Sequence, residues 1–304
     1  MQLLAFDTST MGSASVSLCS EHELLCEYTW LAGNNNHSID LFASIQRIIA
    51  ERQLSLQQLD AIAVAIGPGS FNGLRVALST AKGLAFALGK PLVGISTLEL
   101  IAARQAHWQG IVCALLQAGP SQFYAACYRF IPRASSDGLL AYRTQQLGDY
   151  QVLTAPALAG YLRTHAQEWA ATSSVEEGSG ASNELNELNE LKELHGAHES
   201  KTSVLPFLLC GEISAASRQT LMQLLPQSLF LNAAQSARHA STLAQLAVQR
   251  LLDGLEDDPV SLEPLYLRRP SITSSTRKQP LLAGFAERAG DHDKTEREQG
   301  ALRH

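Results

Sequence analysis

An unbroken apolar run, Ala61 to Ile66, leads into Gly67-Pro68-Gly69-Ser70-Phe71-Asn72-Gly73 and then into a long helical pattern that reaches Leu88. A strand, a glycine-rich turn and a helix in that order constrain the fold more than any other feature of the chain. Such a turn aims backbone N–H groups at one spot, where the helix dipole favours an anion. Gly67, Gly69, Ser70 and Gly73 are therefore candidates for a phosphate-binding loop. The helix carries Leu74, Ala77, Leu78, Ala81, Ala85 and Leu88 on one side and Val76, Gly83, Phe86 and Ala87 on the others. So little polar surface does not suit a helix that faces water. We expect this helix to be covered twice, by its own core and by something else.

With 304 residues the chain can bury one large core or two ordinary ones. A net charge of −6 argues against gripping nucleic acid by its own field, which needs a basic face. A nucleic-acid partner would have to be held mainly by another subunit. No window matches the length of a membrane span, and Met1 to Asp7 lacks the charged and apolar regions of a signal peptide, so a cytoplasmic protein is expected. The five cysteines (Cys19, Cys26, Cys113, Cys127, Cys210) form no CxxC pair and read as reduced, packed thiols.

Gln2 to Asp7, Ser13 to Cys19 and Glu23 to Trp30 read as three strands joined by tight connections. Asn34 to Ser38 offers N-cap candidates for a helix with Leu41, Phe42, Ile45, Ile48 and Ile49 at helical spacing. Pro91 to Ile95 reads as a strand and Thr97 to His107 as a helix. The order β-β-β-α-β-α-β-α predicts an α/β fold, with an antiparallel start followed by parallel additions. From Ile111 a hairpin (Val112 to Leu116, Gln122 to Phe130), a helix (Pro156 to Gln167), a strand (Val204 to Cys210) and two further helices hint at a related second half. The expected domains are 1–108 and 109–269. Within the second, 173–203 contains Asn183 to Leu194, with leucine at every third residue from Leu185, which winds around a helix instead of forming a stripe, so the segment reads as a mobile simple-sequence insert. The tail 270–304 is polar and is expected to be disordered.

Asp7, Thr8 and Ser9 stand at a strand end, where a carboxylate and hydroxyls suit a metal-bound phosphate; a turn that bonds its own backbone accounts for them equally. Arg75 could meet a phosphate, a partner carboxylate or Asp7. Lys82 reads as a cation that snorkels to the surface, and Glu99 as an exposed first-turn glutamate. No metal site is expected: His195 and His198 stand alone in the insert, and His22, His107, His165 and His239 show no pairing in the sequence.

Phe6-Asp7-Thr8-Ser9, Gly67-Pro68-Gly69-Ser70-Phe71, Gly73-Leu74-Arg75-Val76, Ser79 to Ala85, Lys90 to Leu98 and the near-terminal Leu262 to Arg268 together resemble the TsaB (YeaZ) family. The match is dense over residues 1–105 and thin from 110 to 255. The resemblance implies the actin-like, sugar-kinase-like ATPase superfold with two similar βββαβαβα-type domains. It also implies a non-catalytic subunit in the synthesis of tRNA threonylcarbamoyladenosine, one that pairs with the paralogue TsaD and recruits the ATPase TsaE. Thr97 and Ile101 stand where TsaD carries its HxxxH metal pair, and an isoleucine has no lone pair to offer. Gln117-Ala118-Gly119 replaces the family's Asp-Ala-Arg, and Asn72 its usual threonine.

The expected partner face comprises Leu41, Phe42, Ile45, Leu74, Val76, Ala77, Leu78, Ala81, Lys82 and Ala85, used for a TsaD-like partner or for a homodimer when the chain is alone. Asp7, Thr8, Ser9, Gly67, Gly69, Ser70, Gly73 and Arg75 would form a vestigial phosphate loop. No cofactor is expected beyond weak ATP or ADP binding shared at the level of the complex. The alternative is an ATP-hydrolysing or phosphoryl-transfer enzyme of the same superfold.

Overall fold

The computed structural model describes residues 1–10, 12–31, 37–134, 140–171 and 207–268. The leucine-repeat insert, the tail and the cap candidates Asn34 to Asn36 lie outside the described residues.

In β1 (Gln2–Asp7) the two-residue period sends Leu4 and Phe6 to one face and Leu3 and Ala5 to the other, and all four are buried. Antiparallel pairing joins β1 to β2 (Ala14–Ser20) and β2 to β3 (Leu24–Trp30). Parallel pairing adds β4 (Ala61–Gly67) to β1 and β5 (Leu92–Ser96) to β4, giving the order β3-β2-β1-β4-β5. On the Leu4 face lie α1 (His37–Glu51) and α2 (Phe71–Leu88), close to the helix bounds expected from the sequence. Ser70 caps the start of α2, and Gly89, at φ 62°, ends it in the left-handed conformation.

The second sheet repeats this plan. Its strands β6 (Val112–Gln117), β7 (Gln122–Ala134), β8 (Leu140–Thr154), β9 (Leu208–Glu212) and β10 (Leu229–Phe230) run in the order β8-β7-β6-β9-β10, with the same pattern of antiparallel and parallel pairs. This is the α/β plan of two similar halves expected from the sequence. Sequence patterning missed β8, because it is an edge strand with few buried side chains and so lacks a clean apolar alternation.

Helices are exchanged between the halves. α3 (Thr97–Ala103) follows the first sheet in the chain, but Leu98, Ile101 and Ala102 pack on Val112, Ala114 and Tyr128 of the second. α4 (Ala155–Ala171) and α5 (Ala215–Leu224) cover the outer face of that sheet. The last helix, α6 (Ala240–Leu252), returns to the first sheet and sets Leu243, Ala244 and Ala247 against Leu3, Ala5 and Val93. Spans 1–108 and 109–269 therefore share their inner layers, and Met1–Arg268 forms one unit. An ion pair of 2.6 Å between Glu99 of α3 and Arg250 of α6 joins the two inner helices. Glu99 is thus buried, not the exposed first-turn residue that its position in the sequence suggested.

Beyond α6 the chain runs along the free edge of β5. Asp257 donates its N–H to Leu92 O at 2.8 Å, and its carboxylate accepts the Gly94 N–H at 2.8 Å. Leu265 N–H then bonds Ile66 O at 2.7 Å, and Arg268 reaches Ala118 O at 2.8 Å. The near-terminal motif is thus a strap that covers a sheet edge and ends on the second half. No helix among the described residues is long and apolar enough to cross a membrane.

Candidate functional site

The glycine loop and the Asp7 turn are stitched together. Thr8 Oγ1 donates to Gly73 O at 2.7 Å, and Ser70 N–H donates to Ser9 O at 2.6 Å. A Cβ on Gly73 would fall on the carbonyl oxygen of Thr8, and one on Gly69 on that of Ser9. These glycines let two backbones touch. The amide of Gly73 turns to the Ser70 hydroxyl at 3.4 Å, so two N–H groups of the expected phosphate loop are already bonded inside the chain.

Asp7, with no exposed surface, accepts the Ser9 N–H on Oδ1 at 2.8 Å. Its other oxygen faces Arg238, not Arg75. Arg238 Nε lies 3.0 Å from Asp7 Oδ2, and Nη1 lies 3.1 Å from Glu212 Oε1 at the end of β9. Both contacts have ion-pair distances but lack hydrogen-bond alignment. Nη2 donates to Thr10 Oγ1 at 2.7 Å and to Ser13 O at 3.1 Å. The arginine is 2% exposed. Arg75 instead lies on the surface with its guanidinium 5.0 Å from the centre of the Phe71 ring, and Phe71 packs on Tyr266 of the strap.

The expected partner face needs correction. Leu41, Ile45, Leu74, Ala77, Leu78, Ala81 and Ala85 are all buried within the chain's own core. A partner could reach them only by unfolding α1 or α2. A bulky charged residue at Ala81 or Ala85 would therefore break the monomer and could not serve as a probe of an interface. Phe42, 57% exposed, remains available, with Val76 and Lys82 half-buried and Lys82 Nζ donating to Val260 O at 3.2 Å. The outward stripe of α2 is Asn72, Arg75, Ser79, Gly83, Phe86 and Ala87, with Phe86 85% exposed. Gly83 is unusual in this stripe, because a Cβ there would meet nothing within 4 Å.

Thr97 and Ile101 are buried under the second sheet. Among the described residues no group of three or more His, Cys, Asp and Glu side chains is placed to hold a metal ion. Gln117 ties β6 to the start of α5, its Oε1 accepting from Ser214 N–H at 3.4 Å and Ser217 Oγ at 3.3 Å. His239 is paired after all, 3.2 Å from Glu27, whose carboxylate also accepts the Ser241 N–H at 3.0 Å and so caps α6. Nothing local in the sequence announces this partner, which comes from the other half of the molecule.

A family model described as TsaD, tRNA N6-adenosine threonylcarbamoyltransferase, matches residues 32–274. The chain is 34% identical over 133 residues to the tRNA threonylcarbamoyladenosine biosynthesis protein TsaB of Bacillus subtilis, covering 43% of this chain and 56% of that protein. It is 30% identical over 131 residues to TsaB of Escherichia coli, covering 42% and 55%. The chain spans about half the length of the curated relatives it matches. Among solved structures, YeaZ from Pseudomonas aeruginosa is similar over 88% of this chain and 99% of its own, with a TM-score of 0.59 and 24% identity, a likeness of fold. Because the family model spans well over half of its residues and these relatives carry the TsaB name, the chain belongs to the TsaD family as a TsaB (YeaZ) member.

Proposed function

We propose that this chain is a cytoplasmic accessory subunit in the synthesis of threonylcarbamoyladenosine on tRNA. In this reading it pairs with a TsaD-like paralogue, helps to recruit a TsaE-like ATPase and contributes no catalytic group of its own. The tRNA is held by the complex, in keeping with the chain's net charge of −6. The outward stripe of α2 is the observation that carries the proposal. A glycine inside a helix costs about 1 kcal/mol relative to alanine, yet the space above Gly83 is empty in this chain. Beside it stand the small residues Ser79 and Ala87 and the exposed ring of Phe86. Small residues permit close helix approach, and a large exposed ring gives the contact an apolar anchor. The partner surface is therefore the outside of α2 together with Phe42 of α1, not the side of α2 named by its apolar spacing.

Asp7, held within ion-pair distance of Arg238, and the glycine loop, bonded to Thr8 and Ser9, support a non-catalytic role. A specific pair should bury more than about 1,000 Å². Mixing the chain with its TsaD-like paralogue on a sizing column with light scattering should give a 1:1 complex, which Phe86→Asp and Gly83→Leu abolish while the monomer stays folded. Alone, the chain would use the same surface to form a homodimer. If the folded variants co-elute with the paralogue as the unmodified chain does, the α2 surface is not the contact. Calorimetry with Mg-ATP on the isolated chain addresses the enzymatic alternative: turnover abolished by Asp7→Ala would overturn the non-catalytic reading.

A further inference from the structure

In sheets with parallel strands, ligands bind in the crevice beyond the carboxyl ends of the strands. Asp7 ends β1 and Glu212 ends β9, so each half of this molecule delivers one carboxylate from such a position. A guanidinium stands between them. Arg238 lies within 3.1 Å of both carboxylates, and its third nitrogen is taken up by Thr10 and Ser13 of the β1–β2 turn. Its side chain is 1% exposed, as is that of Asp7. The hydroxyl of Ser9, whose N–H donates to the Asp7 carboxylate, is buried and has no hydrogen-bond partner among the described residues. The crevice thus holds two carboxylates and several hydroxyls, the oxygen-rich surroundings that a hard divalent cation prefers, but its positive charge comes from the protein.

We propose that Arg238 is a built-in cation which occupies the crevice in place of a metal ion and fixes the two halves in one closure. Three properties follow from a covalently attached charge. It cannot dissociate, so the halves do not depend on a bound nucleotide to stay together. It leaves no room for a metal-bound phosphate between the carboxylates, because Nε and Nη1 stand within ion-pair distance of Asp7 and Glu212 while Nη2 donates to Thr10 and Ser13. It also conceals a latent cation site, since its removal leaves two carboxylates facing each other with nothing to balance them. The inference concerns the isolated chain and stands whether or not the accessory role above is correct.

The test is a titration of Arg238→Met with Mn²⁺, read by electron paramagnetic resonance and by the melting temperature of the full chain. Arg238→Met should bind Mn²⁺ at least tenfold more tightly than the unmodified chain and gain thermal stability from it, and adding Asp7→Asn should remove both effects. Should Arg238→Met fail to fold in the absence of metal, Mn²⁺ should restore its folding in an Asp7-dependent way. A folded Arg238→Met that binds Mn²⁺ no better than the unmodified chain overturns the proposal. So does an unfolded one that Mn²⁺ does not rescue, or Asp7-dependent Mn²⁺ binding by the unmodified chain.

Discussion

Replacing Gly83 by alanine should stabilise the isolated chain, and its size can be worked out from the surroundings. Gly83 lies in the interior of α2, flanked at four-residue spacing by Ser79 and Ala87, and an added Cβ would meet nothing within 4 Å. Its φ is not in the left-handed region, so alanine fits without strain. The gain is then the helix-propensity difference, about 1 kcal/mol, part of which comes from the less flexible unfolded chain. For a unit of this size that is a rise of about 2–4 °C in melting temperature. Gly89→Ala makes the same chemical change at the left-handed end of the same helix, φ 62°, and should lower stability by about 1 kcal/mol. Differential scanning calorimetry on both variants, at a concentration where sizing shows the chain to be monomeric, is the assay. A Gly83→Ala chain that melts at or below the wild-type temperature refutes the reasoning, because residue 83 would then be packed by its own chain and the bare stripe would lose its meaning.

Gly73→Ala should cost about 3 kcal/mol or more, since its Cβ would land on the Thr8 carbonyl; a urea midpoint equal to wild type would show that the two loops can separate freely. Burial pushes the Glu99 carboxyl above the usual carboxylate range, with Arg250 pulling the other way. A raised folded pKa gives a contribution that is fully present below the unfolded value of about 4 and is lost as pH rises through the folded one. Relative to Glu99→Gln, the wild-type chain should therefore lose stability as pH rises from about 4 to about 8, measured by urea unfolding at both ends. A wild-type chain that gains on the variant over that interval would show that the Arg250 attraction outweighs desolvation.

Much of the first half was legible because its signals are local. The Ala61 to Ile66 run and the helical pattern that reaches Leu88 locate β4 and α2 to within one or two residues. Spacing along α2 separated its apolar residues into sides but did not say which side the sheet would take, so residues buried against the chain's own core were read as an interface. The Arg238 cluster was not legible at all. Arg238 sits in a loop before α6 with no motif around it, and Asp7 meets it only because the chain returns to the first sheet after building the second. Glu99 and His239 were misjudged for the same reason: Arg250 and Glu27 are brought to them by the exchange of helices between halves. β8 stayed hidden because an edge strand needs no continuous apolar face.

The most direct test of the accessory role is mass spectrometry of tRNA nucleosides from cells in which this chain is depleted and then replaced. Wild-type protein should restore threonylcarbamoyladenosine, whereas Phe86→Asp, shown to be folded by its melting curve, should leave it at the depleted level. Undiminished threonylcarbamoyladenosine in the depleted cells, or full restoration by Phe86→Asp, would contradict the account.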